Sequence, residues 1–98
     1  MKLSLAQVQT LYRMEDGTRY MLRGDCKKAH EKRPSLFHDV NAPSIPVLFR
    51  LGLVDWAVQG EKDPRLYSFV VMTKKGREAL QGIKENMRGG KYYYDIQS

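Results

Sequence analysis

Cys26, His30 and His38 are the residues of this chain whose side chains most readily do chemistry. A thiolate and an imidazole one helical turn apart, as Cys26 and His30 would be on a helix, can share a zinc ion. Such a site needs a fourth ligand, and the spacing follows no finger pattern, so the expectation is no metal. The same cysteine beside either histidine has the parts of a thiol nucleophile and its base. Nothing in the sequence marks the oxyanion donors or cleft that such chemistry also requires. The chain therefore reads as a protein that is not an enzyme and holds no cofactor, with Cys26 a free thiol and the histidines on the surface. Arg23-Gly24-Asp25 is a tripeptide common by chance and receives no role.

Charge carries more information. Seventeen Lys and Arg against eleven Asp and Glu give +6, a balance that favours polyanionic partners. Two segments hold the excess. Residues 19–33 contain Arg19, Arg23, Lys27, Lys28, Lys32 and Arg33 against Asp25 and Glu31. Residues 74–91 contain Lys74, Lys75, Arg77, Lys84, Arg88 and Lys91 against Glu78 and Glu85. Each segment is either a solvated face of a small element or a footprint for phosphates.

The elements that must position these charges have to fit one small core. Ninety-eight residues, 42% of them hydrophobic, suffice for one domain and not for two. No run approaches the roughly 18 apolar residues of a membrane span, and Lys2, Ser4 and Gln7 interrupt any signal-peptide core. With a single cysteine there is no intrachain disulfide, so the expectation is a cytoplasmic protein without a membrane partner.

Ser4 is placed to cap a first helix, with Gln7 in the capping-box position and Leu5, Val8, Leu11 and Tyr12 on one stripe. Glu15-Asp16-Gly17 ends it. Tyr20-Met21-Leu22 predicts a short strand before a turn at Gly24-Asp25. Asp25 predicts a turn or two of helix over Lys27 to Lys32 that Pro34 stops, with another short turn over Ser35 to Val40; this basic region reads equally as a mobile arm. Ser44 predicts the cap of a helix reaching Leu51, with Pro46 where a missing N–H costs nothing and Gly52 closing the end. Val54 to Gln59 and Leu66 to Met72 predict a hairpin about a turn at Gly60 to Pro64, with Trp56 a core residue. Thr73 caps a last helix whose inward stripe is Ala79, Leu80, Ile83 and Met87, ended by Gly89-Gly90. Tyr92, Tyr93 and Tyr94 follow, residues suited to packing, to a dimer contact or to stacking on bases.

The run from Asn41 through Ser44-Ile-Pro-Val-Leu-Phe-Arg-Leu-Gly-Leu-Val-Asp-Trp56, followed by Tyr67-Ser-Phe-Val-Val-Met-Thr-Lys-Lys-Gly-Arg-Glu-Ala-Leu80, resembles winged helix-turn-helix proteins of the small bacterial and phage type. In that family a recognition helix leads through Gly-Leu-Val into the wing, and Leu-Thr-x-x-Gly-Arg-x-Ala-Leu follows; Met72 stands where the leucine would be. The resemblance covers residues 41–80, and Ser4 to Met14 also resembles the family's first helix. It implies an α+β winged helix of three to four helices with a two- or three-stranded antiparallel wing, spanning residues 1–90, with 91–98 a tail.

The resemblance further implies binding to double-stranded DNA, often as a homodimer, by a transcriptional regulator or phage accessory protein. Ser44 lies where the recognition helix begins, Pro46, Val47, Phe49 and Arg50 on its outer side or shoulders, and Lys62 and Arg65 beside the wing tip. Arg50 is the one long hydrogen-bond donor on that helix, so base reading is sparse. Lys27, Lys28, Lys32, Arg33, Lys74, Lys75 and Arg77 are expected to hold phosphates, giving modest sequence specificity. The alternative is a protein-interaction module, a phage-encoded inhibitor or adaptor, whose contact surface is the apolar outer face of Pro46, Val47 and Phe49.

Overall fold

The computed structural model describes residues 2–34 and 39–88, with side chains through residue 86. Helix α1 spans Leu5–Glu15 and begins as its sequence dictates: the Gln7 amide donates to Ser4 Oγ at 3.2 Å and the Ser4 amide to Gln7 Oε1 at 2.9 Å. Leu3 before the cap and Val8 in the first full turn both join the core, the arrangement of a hydrophobic staple. Val8 and Leu11 are buried, but Leu5, expected on the same stripe, is exposed; Leu3 takes its place in the core.

Residues 20–43 depart furthest from expectation. In place of a helix over Lys27 to Lys32, strands β1 (Tyr20–Arg23) and β2 (Ala29–Glu31) form an antiparallel hairpin, and β3 (Val40–Asn41) pairs with β2. Asp25 does not cap a helix. Its carboxylate accepts from the Lys27 amide at 3.0 Å and from Arg23 Nε at 2.9 Å, while Cys26 takes φ +62 and donates its amide to the Arg23 carbonyl. An Asx turn and a helix cap use the same side-chain geometry, and here the long-range ladder decides between them. Residues 35–38, where a further turn was expected, lie outside the described residues.

Helix α2 spans Ser44–Arg50 and is closed as its glycine predicts. The Gly52 amide donates to the Phe49 carbonyl at 3.0 Å and the Leu53 amide to the Leu48 carbonyl at 2.9 Å, with Gly52 at φ +77, the two bonds of a Schellman motif. Ser44 is the first helical residue rather than its cap: Pro43 precedes it and no side chain satisfies the opening amides.

Strands β4 (Val54–Trp56) and β5 (Tyr67–Met72) form the expected hairpin, with Trp56 half-buried and edge-on to Phe49 at 5.2 Å. Helix α3 spans Lys74–Arg88 and is capped by Thr73, whose Oγ1 accepts from the Gly76 amide at 3.0 Å and donates to the Gly52 carbonyl at 2.7 Å. Ala79, Leu80 and Ile83 form its buried stripe; the side chain of Met87, and Gly89-Gly90 with the tyrosine tail, lie outside the described residues.

The fold is α+β; the described residues form three helices and one five-stranded antiparallel sheet of order β3-β2-β1-β5-β4. That sheet is larger than the two- or three-stranded wing expected, because β5 pairs with both β4 and β1 and the segment after β1 adds two more strands. Tyr20 and Leu22 of β1, Ala29, Val54 and Val70 point to one face and share a core with Val8, Leu11, Ile45, Leu48, Leu80 and Ile83 of the helices. Each fully buried Leu or Ile contributes roughly 1.5–3 kcal/mol of apolar transfer. The helices thus cover one face of the sheet.

Candidate nucleic-acid interface

The cations expected to meet DNA fall into two groups on different parts of the fold. The first lies where α2 ends and α3 begins. Lys75 Nζ donates to the Leu51 carbonyl at 3.1 Å and so brings positive charge to the end of α2, while Arg77 donates to the Met72 carbonyl, at the end of β5, at 3.1 Å. Lys74 is exposed, with Glu78 3.9 Å away on the next turn. Arg50, at the last position of α2, is exposed and has no ion pair or hydrogen bond from its side chain among the described residues.

Ser44 and Pro46 are buried, because the first turn of this seven-residue helix rests on the core through Ile45. Val47 and Phe49 are half-buried, and Phe49 spends its ring on Trp56. The apolar outer face expected of Pro46, Val47 and Phe49 is therefore reduced to the margins of the last two.

At the β4–β5 tip, Lys62 is not a free cation either. Its ammonium donates to the Val58 and Gly60 carbonyls at 2.7 and 3.0 Å and lies 5.3 Å from the Trp56 ring centre, which braces the loop. Arg65 is exposed and paired with Asp63 at 3.4 Å.

The second group lies along β1 and β2. The Lys32 amide donates to the Arg19 carbonyl at 2.8 Å and the Arg23 amide to the Lys28 carbonyl at 2.8 Å, extending the ladder at both ends. Tyr20, Leu22 and Ala29 point inward, so alternation places Arg19, Met21, Arg23, Lys28, His30 and Lys32 on the opposite face. Two pairs of cations, Arg19 with Lys32 and Arg23 with Lys28, thus stand directly across from each other. Asp25 neutralises Arg23 at 2.7 Å, and that bond holds its own carboxyl below the usual carboxylate range. Arg19, Lys28 and Lys32 have no carboxylate partner among the described residues. Arg33 pairs with Glu31 at 3.2 Å, and Lys27 is exposed on the turn. Beside Arg19 and Lys32 a shallow groove of about 460 Å³ is also lined by Gly17, Thr18 and Arg33.

The same face carries residues that the sequence reading passed over. Tyr67, Phe69 and Val71 alternate outward along β5, with Phe69 opposite Met21 and Tyr67 opposite Arg23. Phe69 and Val71 are 37% and 48% exposed. The Arg19 guanidinium lies 5.8 Å from the Phe69 ring centre, and His30 packs on Tyr67 at 4.6 Å. The signal was present: a strand backed by helices on one side should be polar on the other, and Tyr67, Phe69 and Val71 are not.

Cys26 and His30 are not brought together as a site. His30 faces Asp39 at 3.5 Å, and no cluster of three or more metal-ligating side chains occurs among the described residues; His38 lies outside them. Burial, with Asp25 adding to it, pushes the Cys26 thiol up, the opposite of what a thiolate nucleophile needs. No helix among the described residues is long and apolar enough to cross a membrane.

No family model, curated protein or solved structure matches this chain, so what its surface does has to be read from its own residues.

Proposed function

We propose that this chain is a small winged-helix DNA-binding protein that contacts duplex DNA mainly through phosphates, as a transcriptional regulator or phage accessory protein. The element order supports the reading: α1, β1, then α2, the β4–β5 hairpin and α3, with β5 paired to both β4 and β1, agrees with the order expected of a winged helix once β2 and β3 are set in the place of one helix. The observation that carries it is Arg50. It stands exposed at the end of α2, without a partner for its side chain among the described residues, and next in sequence to Leu51, whose carbonyl Lys75 reaches from α3.

In this reading Arg50 enters the groove and Lys74, Lys75 and Arg77 lie against the backbone. One long donor on a seven-residue helix can distinguish few bases, so affinity exceeds specificity. Lys28 and Lys32 flank β2, which is separated from β4 by two other strands, about 14 Å across the sheet at ~4.8 Å per strand. A duplex seated on α2 does not need them. The competing reading, a protein-binding face on α2, is weakened by the burial of Pro46 and the Phe49–Trp56 contact.

A gel shift on random-sequence duplex at two salt concentrations tests the proposal. Phosphate-driven binding must weaken steeply as salt rises. No shift at low salt overturns it.

A further inference from the structure

The exposed face of the sheet has a composition that duplex binding at α2 leaves unexplained. Its central row runs Phe69, Met21, His30 across β5, β1 and β2. The ladder places Arg23 and Lys28 in the row to one side and Arg19 and Lys32 in the row to the other. Neighbouring outward rows are about 6.8 Å apart, two residues along a strand. A flat apolar and aromatic strip is therefore flanked on both sides by positive charge.

Two observations say what kind of partner covers it. Like charges directly opposite on a sheet are destabilising, and neither Arg19 nor Lys32 forms an ion pair among the described residues; Asp39, the carboxylate beside Lys32, is taken up by the Arg33 amide and His30, so the face keeps an excess of positive charge that suits an anion. An aromatic and apolar row between the cations demands that this anion also present flat apolar groups. The carboxylates nearest the face are engaged: Asp25 with Arg23, Asp39 with His30, and Asp55 with the Gln59 side chain. A groove of about 440 Å³ lined by Met21, Ala57, Val58, Lys62, Tyr67 and Phe69 continues the strip toward the β4–β5 loop.

We propose that this face binds single-stranded nucleic acid, with bases stacking on Phe69 and Tyr67 and phosphates running over Arg19, Lys28 and Lys32. Unpaired bases offer the π-faces that a duplex hides, and stacking on an aromatic side chain tolerates any sequence. The site is separate from Arg50 and α2, so a protein that uses both can hold a duplex beside an unpaired stretch.

The test is fluorescence anisotropy with three probes of equal length: labelled oligothymidine, the same backbone without bases, and a duplex. Phe69→Leu keeps an apolar side chain on the strand and removes the ring; it should weaken oligothymidine binding about tenfold, while Phe69→Tyr restores it. The base-free strand should bind more weakly than oligothymidine, and Phe69→Leu should not change its affinity or that of the duplex. Lys32→Gln, which removes one cation of the opposed pair without setting a second carboxylate beside Asp39, should also weaken oligothymidine. Loss of duplex binding alone in Arg50→Ala separates the two surfaces. If no duplex binds but oligothymidine binding depends on Phe69, the α2 reading fails and this one stands. Equal affinity of wild type and Phe69→Leu for oligothymidine overturns it. So does a base-free strand that binds as tightly, or a Phe69-dependent self-association with no oligonucleotide binding.

Discussion

Arg19 and Lys32 face each other across the β1–β2 ladder, joined by an amide-to-carbonyl bond of 2.8 Å and by no carboxylate among the described residues. Cross-strand pairs of opposite charge stabilise a sheet, and like pairs do the reverse. Lys32→Gln, which removes the repulsion without setting a carboxylate beside Asp39, should therefore raise stability by up to about 1 kcal/mol. Chemical denaturation measures it; a destabilised variant would mean that the two cations are not opposed in solution.

Gly76 lies in the first turn of α3, where an alanine would ordinarily gain up to about 1 kcal/mol in helix propensity. Here an added Cβ would lie 2.2 Å from the Leu53 carbonyl oxygen. Gly76→Ala should destabilise by roughly 2–4 kcal/mol, because α3 must move off the chain that leaves α2. Thermal unfolding decides the sign, and a stabilised variant would refute the packing described.

Thr73 joins two helix ends through one hydroxyl, accepting from the Gly76 amide and donating to the Gly52 carbonyl. Thr73→Val keeps the shape and loses both bonds, at a cost of about 1–2 kcal/mol. Thr73→Ser should recover most of that in the same denaturation series. A valine variant as stable as the wild type would show that shape alone is at work.

The Asp25 carboxyl is held below its ordinary value chiefly by its bond to Arg23, with the Lys27 amide contributing. A group whose folded pKa is depressed adds stability that is present above its unfolded pKa and is lost as pH falls through the folded one. The β1–β2 turn should stay intact at neutral and mildly acid pH and loosen only below the usual carboxylate range. An NMR titration following the Lys27 amide reads this, and Asp25→Asn should abolish the transition. A Lys27 amide that shifts at or above the usual range would contradict the bond.

The sequence announced those parts of the fold whose determinants are local. Ser4 with Gln7, the turn at Gly52, and Thr73 in its capping bond from the Gly76 amide each act within a few residues, and each does what its position dictates. The β1–β2–β3 region was not legible because strands of two to four residues are set by distant partners, and Asp25 is chemically suited to begin either a turn or a helix. Pro46 was misplaced for a similar reason. A seven-residue helix has no clear stripe, and only the sheet beneath it decides which side is inner. Of the candidate site, Arg50 and the α3 lysines were visible as charges, whereas the Phe69 row exists only once β5 pairs with β1.

The central claim, that phosphates are the chief contacts to duplex DNA, is tested most directly by the salt dependence of duplex affinity in the wild type and in Lys74→Ala. Lys74 is exposed and lies outside the core, so its loss leaves the fold in place. The wild type should lose affinity linearly in log–log form as salt rises, and the variant should bind more weakly with a slope shallower by about 0.9, the contribution of one phosphate. Binding that is independent of salt, or absent at low salt, would contradict the account.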